Sequence, residues 1–305
     1  MQSNKKNNDN SNFHSYEKIN PQPKKSLGQN FLQSQGALNK IIEASNLVEN
    51  EFVLEIGPGK GSLTEKILAE NVNLTGIEKD DELIDFLHDK FSKEISSGNF
   101  TLINKDILEF DEKTIPEKYK LIANIPYYIT GLIIRKFLSS ENQPSQAVLL
   151  VQKEVAVRII NKPELIGSDK NPKNKENLLS MSVKIYADPR YVKTVPAGSF
   201  VPAPNVDSAI ISLENISKDK LESLSKKIGK TLKQTEDLFF YFIHAGFAHK
   251  RKTLFKNFKE SELMSKNEIS NEQILESFST NKLDPRVRAE DLTLSNWLCL
   301  IENLI

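Results

Sequence analysis

Residues 124–127, with the sequence NIPY, combine an amide side chain, a proline turn and an aromatic ring. The Asn124 side-chain oxygen and the Ile125 backbone carbonyl can each accept a hydrogen bond from a planar amino group such as that of adenine. Two such acceptors would draw the amino nitrogen towards a nucleophilic, tetrahedral geometry, while Tyr127 stacks on a base turned out of its helix. The tetrapeptide therefore predicts alkylation of an exocyclic amino group through positioning and electrostatic preorganisation, without a strong general base.

A glycine loop, GPGKG at 57–61, is the second stretch with chemical meaning. It follows an apolar run at 52–56 that predicts a buried strand, and it precedes a helical pattern at 62–69. Glycine has no Cβ, so a ligand can approach the backbone there. A dinucleotide-binding loop requires glycine at its sixth position, which is Ser62 here, so a nicotinamide dehydrogenase fits poorly. The GxGxG spacing after Glu55 is instead typical of S-adenosylmethionine-dependent methyltransferases.

The glycine loop opens a series of strands that alternate with helical patterns, which predicts a parallel sheet in an α/β fold. The strands are predicted at 52–56, 72–77, 100–103, 120–123 and 147–151. The first four are followed by the candidate site residues Gly57, Glu78, Asp106 and Asn124. Because the carboxyl ends of parallel strands meet at one edge of a sheet, we expect these residues to surround one ligand. Glu78 also lies about where nucleotide-binding folds place an acid for the ribose hydroxyls.

The remaining pattern predicts how the chain is divided. Two further strands are predicted at 181–186 and 209–213, after a polar surface loop at 166–178. From about residue 215 onwards the apolar periodicity is helical. The predicted fold class is α/β, with a Rossmann-like domain built on a mainly parallel seven-stranded sheet and a small all-helical C-terminal domain. The expected boundaries are 1–22 for a flexible N-terminal extension, 23–214 for the Rossmann-like domain and 215–305 for the helical domain.

Charge is balanced over the whole chain but not locally. Lysine and arginine number 41, as do aspartate and glutamate, so the net charge carries no nucleic-acid signature. The stretch 250–259 nevertheless contains basic residues and no acid, namely Lys250, Arg251, Lys252, Lys256 and Lys259. Such a patch can attract phosphates, although on charge alone a solvated helix face is the favoured interpretation.

The composition also indicates whether the protein binds a metal and where it is located. One cysteine and four scattered histidines form no Cys/His cluster, so we expect no metal site. The chain has neither an apolar run of about 18 residues nor an apolar segment near its N-terminus. We therefore expect no membrane span and no secretory signal, and a cytoplasmic location. No coiled-coil pattern or large apolar surface signature is present, and we expect a monomer.

Four motifs together resemble those of the ribosomal RNA adenine dimethyltransferases. They are KSLGQNFL at 25–32, LEIGPG at 54–59, NIPY at 124–127, and a segment at 200–208 that begins FVP and ends DS. The similarity runs from about residue 24 to the C-terminus, and the first motif is specific to that family. The chain resembles the bacterial small-subunit branch, linked to kasugamycin sensitivity, which dimethylates two adjacent adenosines near the 3′ end of 16S rRNA. The resemblance implies S-adenosylmethionine as cofactor, and small-subunit ribosomal RNA and the assembling 30S particle as partners.

The resemblance also implies which residues contact the cofactor. These are Asn30, Leu32, Gly57, Glu78, Asp106 and Asn124. Within this set, Glu78 is expected at the ribose and Asp106 near the adenine amino group.

Further roles implied by the resemblance concern the RNA. Asn124 and Ile125 would contact the amino group of the target base, and Tyr127 and Phe200 would hold its ring between them. Contacts with the RNA backbone are implied for Lys250, Arg251, Lys252 and Arg288. With this resemblance, contact with the RNA backbone is a better interpretation of the basic patch than a solvated helix face.

The chain departs from the family pattern at a few places. Tyr128 stands where asparagine is common, Ile125 where leucine is usual, and Lys250 where arginine is usual. A polar insert around 169–177 replaces a shorter, glycine-containing loop. The first two changes leave the acceptors for the amino group intact, whereas the insert bears on local substrate contacts.

Other functions remain as alternatives at this point. A large-subunit rRNA adenine dimethyltransferase, which confers macrolide resistance, shares the chemistry of NIPY, but the motifs at 250–254 and 288–290 argue against it. A DNA adenine methyltransferase would more often carry aspartate in place of Asn124. From a different class, the chain could be a ribosome-assembly checkpoint whose main task is RNA binding. A nicotinamide dehydrogenase would bind NADH and would not respond to S-adenosylmethionine.

Overall fold

The computed structural model describes residues 21–162, 175–262 and 267–305. Within those ranges the strands are β1 Phe31–Leu32, β2 Phe52–Ile56, β3 Asn73–Glu78, β4 Phe100–Asn104, β5 Lys120–Asn124, β6 Gln146–Gln152, β7 Asp188–Val195, β8 Phe200–Val201 and β9 Ser208–Glu214. The α-helices are α1 Gln35–Ser45, α2 Ser62–Leu68, α3 Asp81–Lys90, α4 Ser92–Ser96, α5 Thr130–Ser139, α6 Lys153–Ile160, α7 Leu178–Lys184, α8 Asp219–Ile228, α9 Leu232–Phe247, α10 Leu254–Glu260, α11 Asn271–Thr280 and α12 Leu294–Leu304. From β2 to α6 every strand except β4 is followed by at least one α-helix, and a 3₁₀ turn at Glu112–Thr114 joins β4 to β5. This arrangement agrees with the predicted α/β fold.

One sheet of seven strands forms the centre of the molecule, in the order β4-β3-β2-β5-β6-β9-β7. The strands from β4 to β6 in that order pair in parallel, and β9 is antiparallel to both of its neighbours. The prediction of a mainly parallel seven-stranded sheet is confirmed. The strand order reverses between β2 and β5, and ligands of open α/β sheets bind at such a switch point, beyond the carboxyl ends of the strands.

The sheet is covered on both faces, which explains why its central strands β2, β5 and β6 are largely apolar. Neighbouring residues of one strand belong to different buried clusters. Val53 and Ile122 lie in one cluster, while Leu54 and Leu121 lie in the other. This division follows from the alternation of side chains across a strand.

The segment 181–186, for which the sequence predicts a strand, is helical, and this prediction is wrong. It lies largely within α7, which a capping box begins: the Asn177 side chain accepts from the Ser180 backbone N–H, and the Ser180 hydroxyl accepts from the Asn177 N–H. The seventh strand of the sheet is β7 instead. Its burial is mixed, with a register shift between Tyr191 and Lys193, so it lacks the continuous apolar run that identifies the other strands.

After β9 the described part of the chain forms α-helices and short 3₁₀ turns, in agreement with the predicted helical pattern. The buried cluster that contains Leu54 on one sheet face extends to Phe242 in α9 and to Trp297 in α12. The boundary placed between 214 and 215 therefore crosses a shared apolar cluster, and it stays a prediction.

Two predictions concern segments that lie mainly outside the described residues. Of the expected flexible extension at 1–22, the structure describes residues 21 and 22, and of the polar loop at 166–178 it describes residues 175–178. Among the described residues, no helix combines the length and the apolar character needed to cross a bilayer.

Gly246 allows α9 and α12 to approach closely. A Cβ added to this buried glycine would lie 2.3 Å from Trp297 Cη2 and 2.9 Å from Leu254 Cδ1. We expect Gly246→Ala to lower the free energy of unfolding by about 1–3 kcal/mol, because the added methyl group forces packed side chains to move. Urea unfolding measures the change. Gly131→Ala in α5 is the control: its Cβ would meet nothing within 4 Å, and an equal loss there would contradict the steric explanation.

Candidate active site

A cleft opens to solvent at the switch point of the sheet. Its walls come from the carboxyl ends of β2, β3 and β5, the turn after β4, and the segment that leads into β1. The sequence-predicted residues on these walls are Asn30, Gly57, Glu78, Asp106, Asn124, Ile125 and Tyr127. Leu32 lines a smaller pocket beside the cleft. Gly57 and Asn124 line both the cleft and this smaller pocket. The tertiary structure thus brings together every predicted cofactor residue.

The glycine loop passes the cleft with its backbone in a conformation that favours glycine. The φ angles of Gly57, Gly59 and Gly61 are 65°, 59° and 75°, all in the left-handed region. The Gly57 N–H donates to the Ile77 carbonyl over 2.9 Å, which fixes the start of the loop against β3. A Cβ on Gly59 would approach the Phe31 ring to 3.0 Å. The loop therefore leaves bare backbone along the cleft.

Glu78, at the end of β3, is held by backbone donors. One carboxylate oxygen accepts from the Gly59 N–H over 3.1 Å, and the other accepts from the N–H groups of Lys79 and Asp80 over 2.9 and 3.0 Å. Burial raises the pKa of Glu78, and these donors oppose the shift. The carboxylate is consequently fixed in place and joins β3 to the glycine loop.

Asp106 lies in the turn after β4 and forms an ion pair that the sequence did not predict. Its Oδ2 is 2.7 Å from Lys79 Nζ, and its Oδ1 accepts from the Leu108 N–H over 2.9 Å. The hydrogen bond from Lys79 is the main reason that the pKa of Asp106 falls below its ordinary value. Lys79 itself lines the cleft, and its place directly after Glu78 is the signal that could have identified it.

Asn124 is oriented by a partner far away in the sequence. Its Nδ2 donates to the Asn30 carbonyl over 3.0 Å, which leaves Oδ1 as the free acceptor of the amide. The Tyr127 hydroxyl hydrogen-bonds the Ser208 hydroxyl over 2.7 Å, so the ring is anchored at its outer end. Burial raises the pKa of Tyr127. Tyr127, which is half-buried, and Ile125 both line the same cleft.

Phe200 occupies a different position from its neighbours in the predicted site. It is 2% exposed, belongs to the apolar core and pairs with Leu32 between β1 and β8. Its ring is absent from the described walls of the cleft. The predicted sandwich of a base between Tyr127 and Phe200 stays a prediction, because the ring of Phe200 would first have to become accessible.

Glu55 is a buried acid on the wall of the smaller pocket, and the predicted site did not include it. It is 1% exposed and accepts from Thr64 Oγ1 over 2.7 Å. Burial raises the pKa of Glu55 to about 8, against the effect of the Thr64 hydrogen bond. Glu55 is therefore a neutral acid in the folded protein at neutral pH.

This shift predicts how stability depends on pH. Glu55 ionises near 4.5 in the unfolded chain and near 8 in the folded protein, so its contribution is fully present below 4.5 and is lost as the pH rises through 8. Glu55→Gln keeps an acceptor for Thr64 without ionising. Between pH 5 and pH 8 the variant should gain about 3 kcal/mol of stability relative to the parent. An equal difference in the free energy of unfolding between the variant and the parent at both pH values would contradict the assignment.

The candidate RNA-binding residues meet at the turn before α10. Lys250, Arg251 and Arg288 are exposed, and the Leu254 N–H donates to the Val287 carbonyl over 2.8 Å. This bond brings the two predicted basic motifs together. Lys252 is half-buried and pairs with Glu260, which reduces the charge that it offers to a ligand.

Within the described residues, no group of three or more His, Cys, Asp or Glu side chains is arranged to hold a metal ion.

The chain is similar to known proteins over most of its length. Residues 20–302 match the family model described as ribosomal RNA adenine dimethylase. "Ribosomal RNA small subunit methyltransferase A" of Dehalococcoides mccartyi strain CBDB1 is 40% identical over 286 residues, covering 91% of this chain and 87% of that relative. A dimethyladenosine transferase from Plasmodium falciparum superposes with a TM-score of 0.67 at 26% identity, covering 88% of this chain and 95% of that one. The 23S rRNA methyltransferase ErmE, at 22% identity, has a TM-score of 0.66 and shares the fold; the match covers 90% of this chain and 99% of that one. The protein is therefore a member of the ribosomal RNA adenine dimethylase family.

Proposed function

We propose that the protein uses S-adenosylmethionine to dimethylate the 6-amino groups of two adjacent adenosines in the 3′-terminal hairpin of 16S rRNA. The small-subunit name of relatives such as the Dehalococcoides protein supports this choice of RNA. We further infer that it acts in the cytoplasm, as a monomer, on the assembling 30S particle and contributes to its biogenesis.

The observation that carries this proposal is the orientation of Asn124. Its amide nitrogen is already used by the Asn30 carbonyl, so its oxygen is available to an amino group in the cleft. The Ile125 carbonyl belongs to the next residue of the same wall, and Tyr127 is anchored beside them. Two acceptors and an aromatic ring at this place are what N6 alkylation of adenine requires.

The residues of the cleft fit S-adenosylmethionine. Glu78 offers a fixed carboxylate to the ribose hydroxyls, Asp106 offers an acceptor to the adenine amino group, and the glycine loop leaves room along the backbone. When bound, the cofactor supplies an electrophilic methyl group on its sulfonium sulfur.

The residues around the target base would act by positioning and electrostatics. Asn124 and Ile125 would hold both amino protons, so that the nitrogen lone pair is localised and points at the methyl group. Once alkylated, the nitrogen is cationic and loses a proton to solvent without a strong base. Tyr127 would replace the stacking that the base loses when it leaves its RNA neighbours.

Methyl transfer to small ribosomal subunits purified from a strain that lacks the modification tests the proposed function. Labelled S-adenosylmethionine and mass spectrometry of the digested RNA should show dimethyladenosine at two neighbouring positions. If large-subunit RNA or DNA is modified instead, the cofactor and the chemistry are retained but the substrate is wrong. If no nucleic acid is modified although small subunits bind, a binding function replaces the enzymatic one.

The basic turn before α10 should contribute to RNA affinity through phosphate contacts. Replacing both Lys250 and Arg251 with alanine is expected to weaken RNA binding and to reduce the slope of log K against log salt by about 1–2. Fluorescence anisotropy at several salt concentrations measures both effects. A matched double variant, Lys226→Ala with Lys230→Ala, removes the same charge from the exposed end of α8. Equal changes in the two double variants would indicate a general charge effect and contradict a specific RNA contact.

A further inference from the structure

The N-terminal segment 24–32, here called the arm, forms one wall of the cleft. Residues 27–31 of the arm face the same space as Glu78 and Asn124. Hydrogen bonds within the segment, such as that from the Gly28 N–H to the Lys25 carbonyl, shape its local turn but do not attach it to the sheet. Its position must therefore be set by contacts with the rest of the chain.

One end of the arm is fastened to Asp80, at the start of α3. Lys24 Nζ lies 2.6 Å from Asp80 Oδ1, and Gln29 Nε2 donates to Asp80 Oδ2 over 2.8 Å. The Lys24 N–H also donates to Gln29 Oε1 over 2.7 Å. This bond joins the two residues of the arm that contact the Asp80 carboxylate. Asp80 is 3% exposed, and both of its carboxylate oxygens have a partner in the arm.

The other end of the arm is fastened to the part of the cleft wall that holds Asn124 and Ile125, here called the catalytic wall. The Asn30 carbonyl accepts from Asn124 Nδ2, and Leu32 pairs with Phe200 across the β1–β8 ladder. Within the arm, Gly28 has a φ of 63° and lies against the ring of Tyr128. A Cβ added to Gly28 would be 3.2 Å from Tyr128 Cε1. The arm thus lies across the cleft between two attachment points, one of which is Asp80.

Asp80 is not on the described wall of the cleft. Its Oδ1 also accepts from the Glu82 N–H over 3.2 Å, as the N-cap of α3. Burial by itself would raise the pKa of Asp80, but the hydrogen bonds from Lys24 and Gln29 outweigh it and lower the pKa, so the group is a carboxylate. The Asp80 backbone N–H donates to Glu78, on the wall of the cleft, whereas the Asp80 side chain contacts the arm. A change confined to that side chain therefore acts mainly on the arm.

We propose that Asp80 is a positioning residue, which sets the affinity for S-adenosylmethionine by holding the arm against the cofactor cleft. The inference rests on the proposed cofactor cleft and is independent of which RNA is methylated. Release of the arm at Asp80 would leave the catalytic wall in place but would open one side of the cofactor site.

Asp80→Asn tests the tether separately from the helix cap, because asparagine is also a good N-cap. We expect the Kd for S-adenosylhomocysteine and the KM for S-adenosylmethionine to rise about tenfold or more, since a charge-assisted contact is lost. The kcat at saturating cofactor and the KM for RNA should stay unchanged. Lys24→Met removes the same ion pair by changing its more exposed partner. It should raise the Kd and the KM for the cofactor in the same way and leave kcat and the KM for RNA unchanged. Glu82→Gln is the matched control, because Glu82 also contacts Lys24, over 3.1 Å, but is 57% exposed.

Trypsin tests whether the arm itself is released, because a general loss of stability would not direct early cleavage to Lys24 and Lys25. Cleavage after Lys24 and Lys25, followed by mass spectrometry at early times, should be slow in the parent and fast in Asp80→Asn. S-adenosylhomocysteine should slow cleavage at these bonds in both proteins. Unchanged cofactor affinity in Asp80→Asn would overturn the proposal, whether or not cleavage changes, as would a loss confined to RNA affinity. If the parent protein fails to bind the cofactor, the proposed cleft fails and not only the tether.

Discussion

Asn124→Ala is expected to lower kcat for methyl transfer about a thousandfold, the upper end of the loss seen when one preorganised hydrogen-bonding group is removed from an active site. Alanine removes the acceptor Oδ1 and also the Nδ2 contact that holds the Asn30 carbonyl over 3.0 Å. The acceptor acts on the amino nitrogen as it becomes nucleophilic, so its loss should appear mainly in kcat. Single-turnover transfer from labelled cofactor to small subunits measures the chemical step directly.

Two comparisons make the Asn124 result specific. Asn124→Asp keeps an acceptor but places an oxygen against the Asn30 carbonyl, so we expect activity between that of the parent and that of the alanine variant. RNA binding, measured separately, should change little in either variant. A kcat within tenfold of the parent for Asn124→Ala would contradict the assigned role. If small-subunit assembly proceeds normally with the inactive variant in place, the binding role is sufficient for biogenesis.

Glu78→Gln is expected to weaken binding of S-adenosylmethionine by about a hundredfold or more, since each hydrogen bond to a buried charge contributes about 1.5–3 kcal/mol. The carboxylate accepts from three backbone N–H groups, of Gly59, Lys79 and Asp80. Glutamine would direct its own NH₂ group at one of these donors. The substitution therefore disturbs the glycine loop in addition to weakening the proposed ribose contact. Isothermal titration with S-adenosylhomocysteine measures the loss.

Glu109→Gln is the matched control for Glu78→Gln. Glu109 is exposed and lies three residues after Asp106, close to the cleft in sequence but not on its described wall. We expect cofactor affinity to stay within about twofold of the parent, as for other surface substitutions. Equal losses in the two variants would show that charge near the cleft, and not the fixed carboxylate, determines affinity.

The sheet and the residues at its edge are predictable from the sequence because the relevant signals are local. Mainly apolar runs of four to six residues, most of them followed closely by glycine or by a polar side chain, identify β2–β6. Parallel strands necessarily align their carboxyl ends. The strand pattern alone therefore groups Gly57, Glu78, Asp106 and Asn124 at one edge of the sheet. Their places around one cleft agree with that expectation.

Where the sequence prediction failed, the deciding interactions were not visible as periodicity. The segment 181–186 has apolar content compatible with a strand, but the capping box at Asn177 and Ser180 starts a helix there. β7 was missed because an edge strand with mixed burial lacks a continuous apolar run. The burial of Phe200 in the core depends on its pairing with Leu32, 168 positions earlier, since 200 − 32 = 168.

The sequence by itself determined the fold class, and the resemblance of its motifs to a family indicated the cofactor, because hydrophobic period, glycine spacing and the NIPY tetrapeptide are properties of short stretches. Only the tertiary structure decided how the site residues are held. The free oxygen of Asn124 depends on a donor contact to Asn30, 94 positions away, and the position of the arm depends on Asp80, 56 positions from Lys24. Such contacts form only after the whole sheet has placed the segments side by side, so no local pattern encodes them.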